Sequence, residues 1–359
     1  MLPFATILAL VLLSTLFGLY FIRTESETFR KRAARHVTTR QSSHSKPTPR
    51  VGGLAIAVGI LSGALLSGSD IFGLLLWTAL PIFIIGLVED LGPDTPPALR
   101  LTVAFLSATL AAFVTGAHLT SLDTPGVDAL LSIGAVGLGF TLLASAGMTH
   151  AMNLIDGLNG LSSAVVIVAM AGMGWVAHRF GHTDLVYLNV VVLTAFLGFF
   201  LVNFPRGYIF LGDAGAYSVG HIIAWNAIIL LVREPSISAW SVLLIVFWPI
   251  FDVIMSTLRR VAKRAPVTRP DRMHFHHLLM RSVMILSNGA VSKEAANPLG
   301  SALAIPMIIA AAMLGVTFID NTPAAMSSVG CLAALYWLTY VVLIKIARAR
   351  RLYRRRIAA

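Results

Sequence analysis

The chain has 359 residues, 57% of them hydrophobic and only 12% charged, with a mean hydropathy of +0.82. An ordinary soluble domain carries about twice that charge and is excluded; a β-barrel would show short alternating segments instead of long apolar runs. The formal net charge is +11, and its meaning lies in where the lysines and arginines fall.

Eleven apolar stretches are candidates to cross roughly 30 Å of hydrocarbon. The first, 3–22, has no positive charge before it and Arg23 after it, which argues for a retained span with the N-terminus outside, not a cleaved signal peptide. The second and third, 52–68 and 71–88, are parted only by Gly68-Ser69-Asp70, so ten spans is the alternative count. The others follow at 99–116, 127–148, 161–178, 184–203, 215–232, 239–258, 299–318 and 324–346. The expected fold is an all-α polytopic membrane protein, one integral membrane domain over 1–359, with a periplasmic N-terminus and a cytoplasmic C-terminus. Charge supports this topology independently. The inner segments 23–51, 89–98, 149–160, 204–214 and 259–298 and the basic tail 347–359 hold nearly all Lys and Arg, while the outer side holds Arg179 and Arg233. The net charge is therefore a positive-inside signature facing a lipid bilayer, and no nucleic-acid partner is expected. No internal repeat stands out, which weighs against an inverted-repeat transporter. The lone Cys331 has no partner for an internal disulfide.

Polar residues gather on the inner side. Glu89 and Asp90 end the third span, where carboxylates are costly and persist if a cation or reacting group needs them; a solvated loop start is the plainer reading. Asn153, Asp156 and Asn159 stand in Asn-Leu-Ile-Asp-Gly-Leu-Asn-Gly, whose amides suit a sugar or base, although Asn159 or Ser162 could simply cap the sixth span. Asp213 lies between glycines ahead of the eighth span. That suits magnesium shared with phosphate oxygens, or equally a helix N-cap. His274, His276 and His277 follow Arg269 and Arg272 in the long inner loop 259–298 and read better as phosphate donors than as a zinc site. Asp252, inside an apolar run, is either functional or paired with an arginine such as Arg259. Lys46 opens a basic, proline-stiffened entry, Lys46-Pro-Thr-Pro-Arg50-Val-Gly-Gly, to the second span. Acids for a cation, bases for phosphate and amide-rich turns for a nucleoside together specify phosphoryl chemistry at the inner boundary.

These ordered motifs, from Lys46-Pro-Thr-Pro to His277, resemble the polyprenyl-phosphate N-acetylhexosamine-1-phosphate transferases, bacterial glycosyltransferase family 4. The Arg-Pro-x-x-x-His-x-His-His form is closer to the amino-sugar branch than to the muramoyl-pentapeptide branch, which is the alternative. The resemblance implies transfer of a sugar 1-phosphate from a UDP-linked N-acetylated sugar to undecaprenyl phosphate, releasing UMP, at the cytoplasmic face of a bacterial inner membrane. It implies Mg2+, with Mn2+ as the alternative ion, held by Asp213. Phe210 would stack on uracil, Asn153, Asp156 and Asn159 would meet the nucleotide, and Asn203 falls on another substrate-binding position. His274, His276 and His277 would lie by the phosphates with Lys46 and Arg272, and Asp90 would activate the acceptor beside Glu89. It also admits a homodimer. The usual Asp-Asp pair of the family is Glu89-Asp90 here, which puts in doubt any role that needs an aspartate at the first position.

Overall fold

The computed structural model describes residues 4–24, 48–92, 94–264 and 273–357, with side chains up to 349. Lys46, Arg269 and Arg272 lie outside the described residues. Within them the chain forms fourteen helices and no strand. In order these are α1 (Phe4–Thr24), α2 (Gly52–Ser67), α3 (Asp70–Leu91), α4 (Pro97–Thr115), α5 (Pro125–Leu131), α6 (Gly134–Ile155), α7 (Leu161–Arg179), α8 (Thr183–Asn203), α9 (Gly212–Arg233), α10 (Ala239–Ile245), α11 (Phe247–Ala262), α12 (Phe275–Leu286), α13 (Lys293–Thr317) and α14 (Thr322–Ile357).

Among the described residues nine helices are long and apolar enough to cross a membrane: α1, α3, α4, α6, α7, α8, α9, α13 and α14. This is a multi-pass membrane protein. The remaining two expected spans differ in form. Helix α2 has 16 residues, about 24 Å at the α-helical rise, which is short of the hydrocarbon thickness. The stretch expected as a single span over 239–258 is broken at Val246, where α10 and α11 meet at 87°. Pro249 accounts for the break: it has no N–H to give the Ile245 carbonyl, and proline is tolerated in a first helical turn. A further shift concerns 127–148. Ser132 and Ile133 interrupt that run, leaving the short α5 and moving the long helix to 134–155, so that Asn153 sits on a last helical turn instead of in a loop. The inner segment 259–298 is likewise no simple loop, since it contains α12 and the start of α13.

Helix α9 is the axis of the bundle. It packs against α2, α3, α6 and α7, and it is the most buried of the nine. Its apolar residues surround it on all sides, as a helix enclosed by other helices requires, and Trp225 is fully buried. Asn226 meets Asn189 of α8 in a reciprocal amide pair of 2.8 and 3.3 Å, so neither buried amide goes unsatisfied there. Outward-facing side chains are large and apolar; Phe113 is 86% exposed, as suits a lipid-facing surface. Successive spans alternate in direction. The C-terminal ends of α3, α6 and α8 therefore meet the N-terminal ends of α2, α4, α7 and α9 at one end of the bundle.

Candidate active site

The site is built around the first turn of α9. Glycines let this turn come very close to two neighbours: a Cβ on Gly53 of α2 would lie 2.5 Å from the Gly215 nitrogen, and one on Gly86 of α3 would lie 2.5 Å from the Ala214 nitrogen. Asp90 follows Gly86 by one helical turn and so shares its face. Its Oδ1 and Oδ2 accept the backbone N–H groups of Asp213 and Ala214, both at 2.9 Å. Asp90 thus caps a neighbouring helix, filling two of the orphan donors at the α9 N-terminus.

With its backbone anchored, Asp213 turns its carboxylate toward two guanidinium groups. Arg50 Nη2 is 3.0 Å from Oδ1 and Arg100 Nη1 is 3.6 Å from Oδ2. Arg100 also lies 3.4 Å from Glu89 Oε1, while Glu89 Oε2 accepts from the backbone N–H and the hydroxyl of Thr95. Glu89 therefore ties Thr95 and Arg100 together. Burial works against the charge of Arg50, but Asp213, Asp90, Asp156 and Glu89 together outweigh it and raise its pKa.

Asp156 caps the C-terminal end of α6 and accepts a 2.6 Å hydrogen bond from Ser162 of α7. Burial pushes its pKa up to about 6, while the Ser162 bond and the Arg50 charge pull it back. The amides beside it serve the scaffold. The backbone N–H of Asn159 donates to Asn297 Oδ1 at 2.8 Å, and its Nδ2 donates to the Pro205 carbonyl at 2.9 Å. Asn203 accepts from the Gly160 N–H at 2.6 Å and donates to the Ile209 carbonyl at 2.8 Å. Both side chains, expected to meet substrate, are buried and bonded to protein backbone, while Asn159 Oδ1 has no hydrogen-bond partner among the described residues. Asn153 is half-buried on the last turn of α6. Phe210 is also half-buried, its backbone paired with Pro49 and Gly52 so that the α2 entry and the α9 entry form one unit.

The histidines begin α12: His274 is its N-cap, and His276 and His277 lie in its first turn. Asp252, for which an arginine was one expected partner, is instead bonded to His274, at 3.0 Å from its Nδ1. His276 packs on Gly157, where a Cβ would lie 2.7 Å from its Nε2. The histidine motif therefore adjoins the Asp156 turn. Burial lowers the pKa of His276, with Asp252 opposing, and holds that of His277 well down, helped by the two neighbouring rings. Asp90, Asp156, Asp213 and the histidines thus converge at one end of the bundle. Arg100 and Asn297 join them without having been anticipated, Ser162 bonds Asp156 where it was expected at most to cap a helix, and Arg50 proves more central than the expected Lys46 stretch alone suggested.

Carboxylates braced by guanidinium groups thus gather at one end of a membrane-spanning helical bundle, an arrangement that suits an integral-membrane transferase. Comparison with known proteins gives the same class. A family model described as glycosyl transferase family 4 matches residues 72–231. A probable undecaprenyl-phosphate N-acetylglucosaminyl 1-phosphate transferase of Bacillus subtilis is 31% identical over 246 residues, covering 66% of this chain and 67% of that protein. An undecaprenyl-phosphate alpha-N-acetylglucosaminyl 1-phosphate transferase of Yersinia pestis is 28% identical over 248 residues, covering 67% of each. A decaprenyl-phosphate N-acetylglucosaminephosphotransferase of Mycobacterium tuberculosis is 29% identical over 278 residues, covering 66% of this chain and 67% of that protein. The chain belongs to glycosyl transferase family 4.

Proposed function

We propose that the chain transfers an N-acetylhexosamine 1-phosphate from a UDP-sugar to undecaprenyl phosphate, releasing UMP, at the cytoplasmic face of a bacterial inner membrane. The observation that carries this reading is the convergence of Asp90, Asp156, Asp213, Arg50 and Arg100 around one helix start. Relatives named for the same transfer support it.

In the reaction an oxygen of the lipid phosphate attacks the sugar-bearing phosphorus. The new P–O bond forms as the bond to the UMP oxygen breaks, and UMP leaves with that electron pair. A phosphate dianion needs no strong base, so positioning and charge neutralisation supply most of the rate. Arg50 and Arg100 are placed to meet the diphosphate, and Asp90 fixes the backbone that aims Asp213. The donor set suits magnesium in kind: Asp213 offers hard carboxylate oxygens, which Arg50 and Arg100 already brace as cations. An ion held by one carboxylate and completed by substrate and water is the usual magnesium arrangement. Asp213 would hold it, and when bound it would neutralise charge on the diphosphate.

The test is UMP release by purified protein given undecaprenyl phosphate, Mg2+ and a panel of UDP-sugars. Release that depends on lipid, ion and an N-acetylated donor is expected. No release with any donor would refute the proposal. Stoichiometric UMP release without lipid acceptor would instead replace direct attack by an enzyme-bound phosphosugar.

A further inference from the structure

Asp252 lies outside the acidic cluster and has no part in the transfer described above, yet it is among the most completely enclosed ionisable groups in the protein, 1% exposed. A buried carboxylate must have its lone pairs filled, and three donors bond this one, with a second ring close by. Its Oδ1 accepts the Phe275 N–H and the Tyr336 hydroxyl, each at 2.9 Å. Its Oδ2 faces two rings, with His274 Nδ1 at 3.0 Å and His276 Nδ1 at 3.5 Å.

This geometry dictates where the ring protons sit. A carboxylate oxygen only accepts, so the His274 Nδ1 bonded to it carries hydrogen and, in the neutral ring, Nε2 carries the lone pair; at 3.5 Å the same negative charge favours a proton on His276 Nδ1 without a hydrogen bond. His276 is completely buried, neither of its ring nitrogens has a hydrogen-bond partner among the described residues, and its Nε2 faces the Gly157 turn beside Asp156. Its ring also lies against His277, with centroids 4.2 Å apart. His277, unlike the other two, is only half-buried.

The geometry points to a division of labour within the histidine motif. We propose that Asp252 is a positioning residue that holds His274, by a hydrogen bond, and His276, by its charge, as Nδ1–H tautomers, and through them sets His277 and the Gly157 turn. His277 is then the histidine that meets the diphosphate. The functional half of this inference rests on the transfer reaction proposed above; the tautomer half does not.

An isosteric variant separates the two. In Asp252→Asn the Phe275 N–H can only donate, so the amide carbonyl must take the place of Oδ1. The amide NH2 then faces the two rings, which must present lone pairs, and both invert to Nε2–H. With full-length protein in micelles and 15N-labelled histidine rings, assigned by single His→Gln variants, the wild type should show Nδ1–H at 274 and 276 and Asp252→Asn should show Nε2–H. Turnover in that variant should fall about 10- to 100-fold, the usual cost of removing a group that orients another ligand, with the KM for UDP-sugar and the melting temperature held. Tyr336→Phe removes a donor from Oδ1 only and should keep the wild-type tautomers. Nε2–H rings in the wild type, inversion in Tyr336→Phe as well, or full turnover in Asp252→Asn would each overturn the inference. A wild type that turns over no UDP-sugar would sink the substrate assignment instead, while the ring signals would still decide the tautomers.

Discussion

Replacing Gly86 by alanine tests whether the site depends on how closely α9 approaches α3. The added Cβ would lie 2.5 Å from the Ala214 nitrogen, 2.6 Å from its Cα and 2.7 Å from the Asp213 carbonyl carbon. All three are backbone atoms, so no side chain can rotate out of the way. The start of α9 must retreat by roughly 1 Å to reach ordinary contact, and a displacement of that size at a reacting centre costs about 100-fold in rate. It also stretches the two 2.9 Å bonds through which Asp90 holds Asp213 and Ala214. Overpacking of this kind destabilises by about 1–3 kcal/mol. The assay is UMP release alongside thermal unfolding in detergent, with Gly73→Ala on the same helix as control, since nothing lies within 4 Å of a Cβ there. Gly86→Ala should lose both rate and stability and Gly73→Ala neither. Wild-type turnover in Gly86→Ala would refute the idea that this contact sets the position of Asp213.

Asp213→Asn should lower transfer by at least about 1000-fold, a loss of the order expected when a charge-neutralising group is removed from phosphoryl transfer, and raising Mg2+ should not restore it; UMP release against ion concentration decides. Asp156, with its pKa raised to about 6, is ionised above that pH and neutral below it. If its charge is used, activity falls as pH drops through about 6, and the Asp156→Asn profile lacks that limb; an unchanged limb in the variant would assign it elsewhere. Asn203→Ala leaves the Gly160 N–H and the Ile209 carbonyl without their partner, at about 1–3 kcal/mol for each buried group, and should lower the melting temperature; an unshifted melt would show that the turn is held by other contacts.

The sequence made the membrane helices readable because long apolar runs have no other stable use, and it placed the acids because charges at the ends of such runs are costly. Hydropathy is blind to direction, however. The run that bends at Val246 is as apolar as a straight span, and only Pro249 hinted at the break. The interruption at Ser132 is too mild to stand out, so the following helix was expected seven residues early and Asn153 was expected in a loop. Pairing was the other blind spot. Arg100 reads as one more positive-inside residue until its neighbour, 113 positions away, is seen to be Asp213. Asp252 has an arginine seven residues on in the chain, but the fold brings it histidines from 22 and 24 residues away. Exposed and buried amides are identical in sequence, so only the folded chain shows that Asn159 and Asn203 also hold the Pro205 and Ile209 carbonyls.

The two guanidinium groups resting on Asp213 have a consequence for how the protein comes into being. A metal site made of carboxylates alone repels itself until its ion arrives, and folding then waits for loading. Here Arg50 and Arg100 act as resident counter-ions, so the acidic end can assemble during insertion before any divalent cation or donor sugar is present. On the magnesium site proposed above, chelators should silence this protein while leaving it intact, and loading would belong to the working cycle, separate from biogenesis.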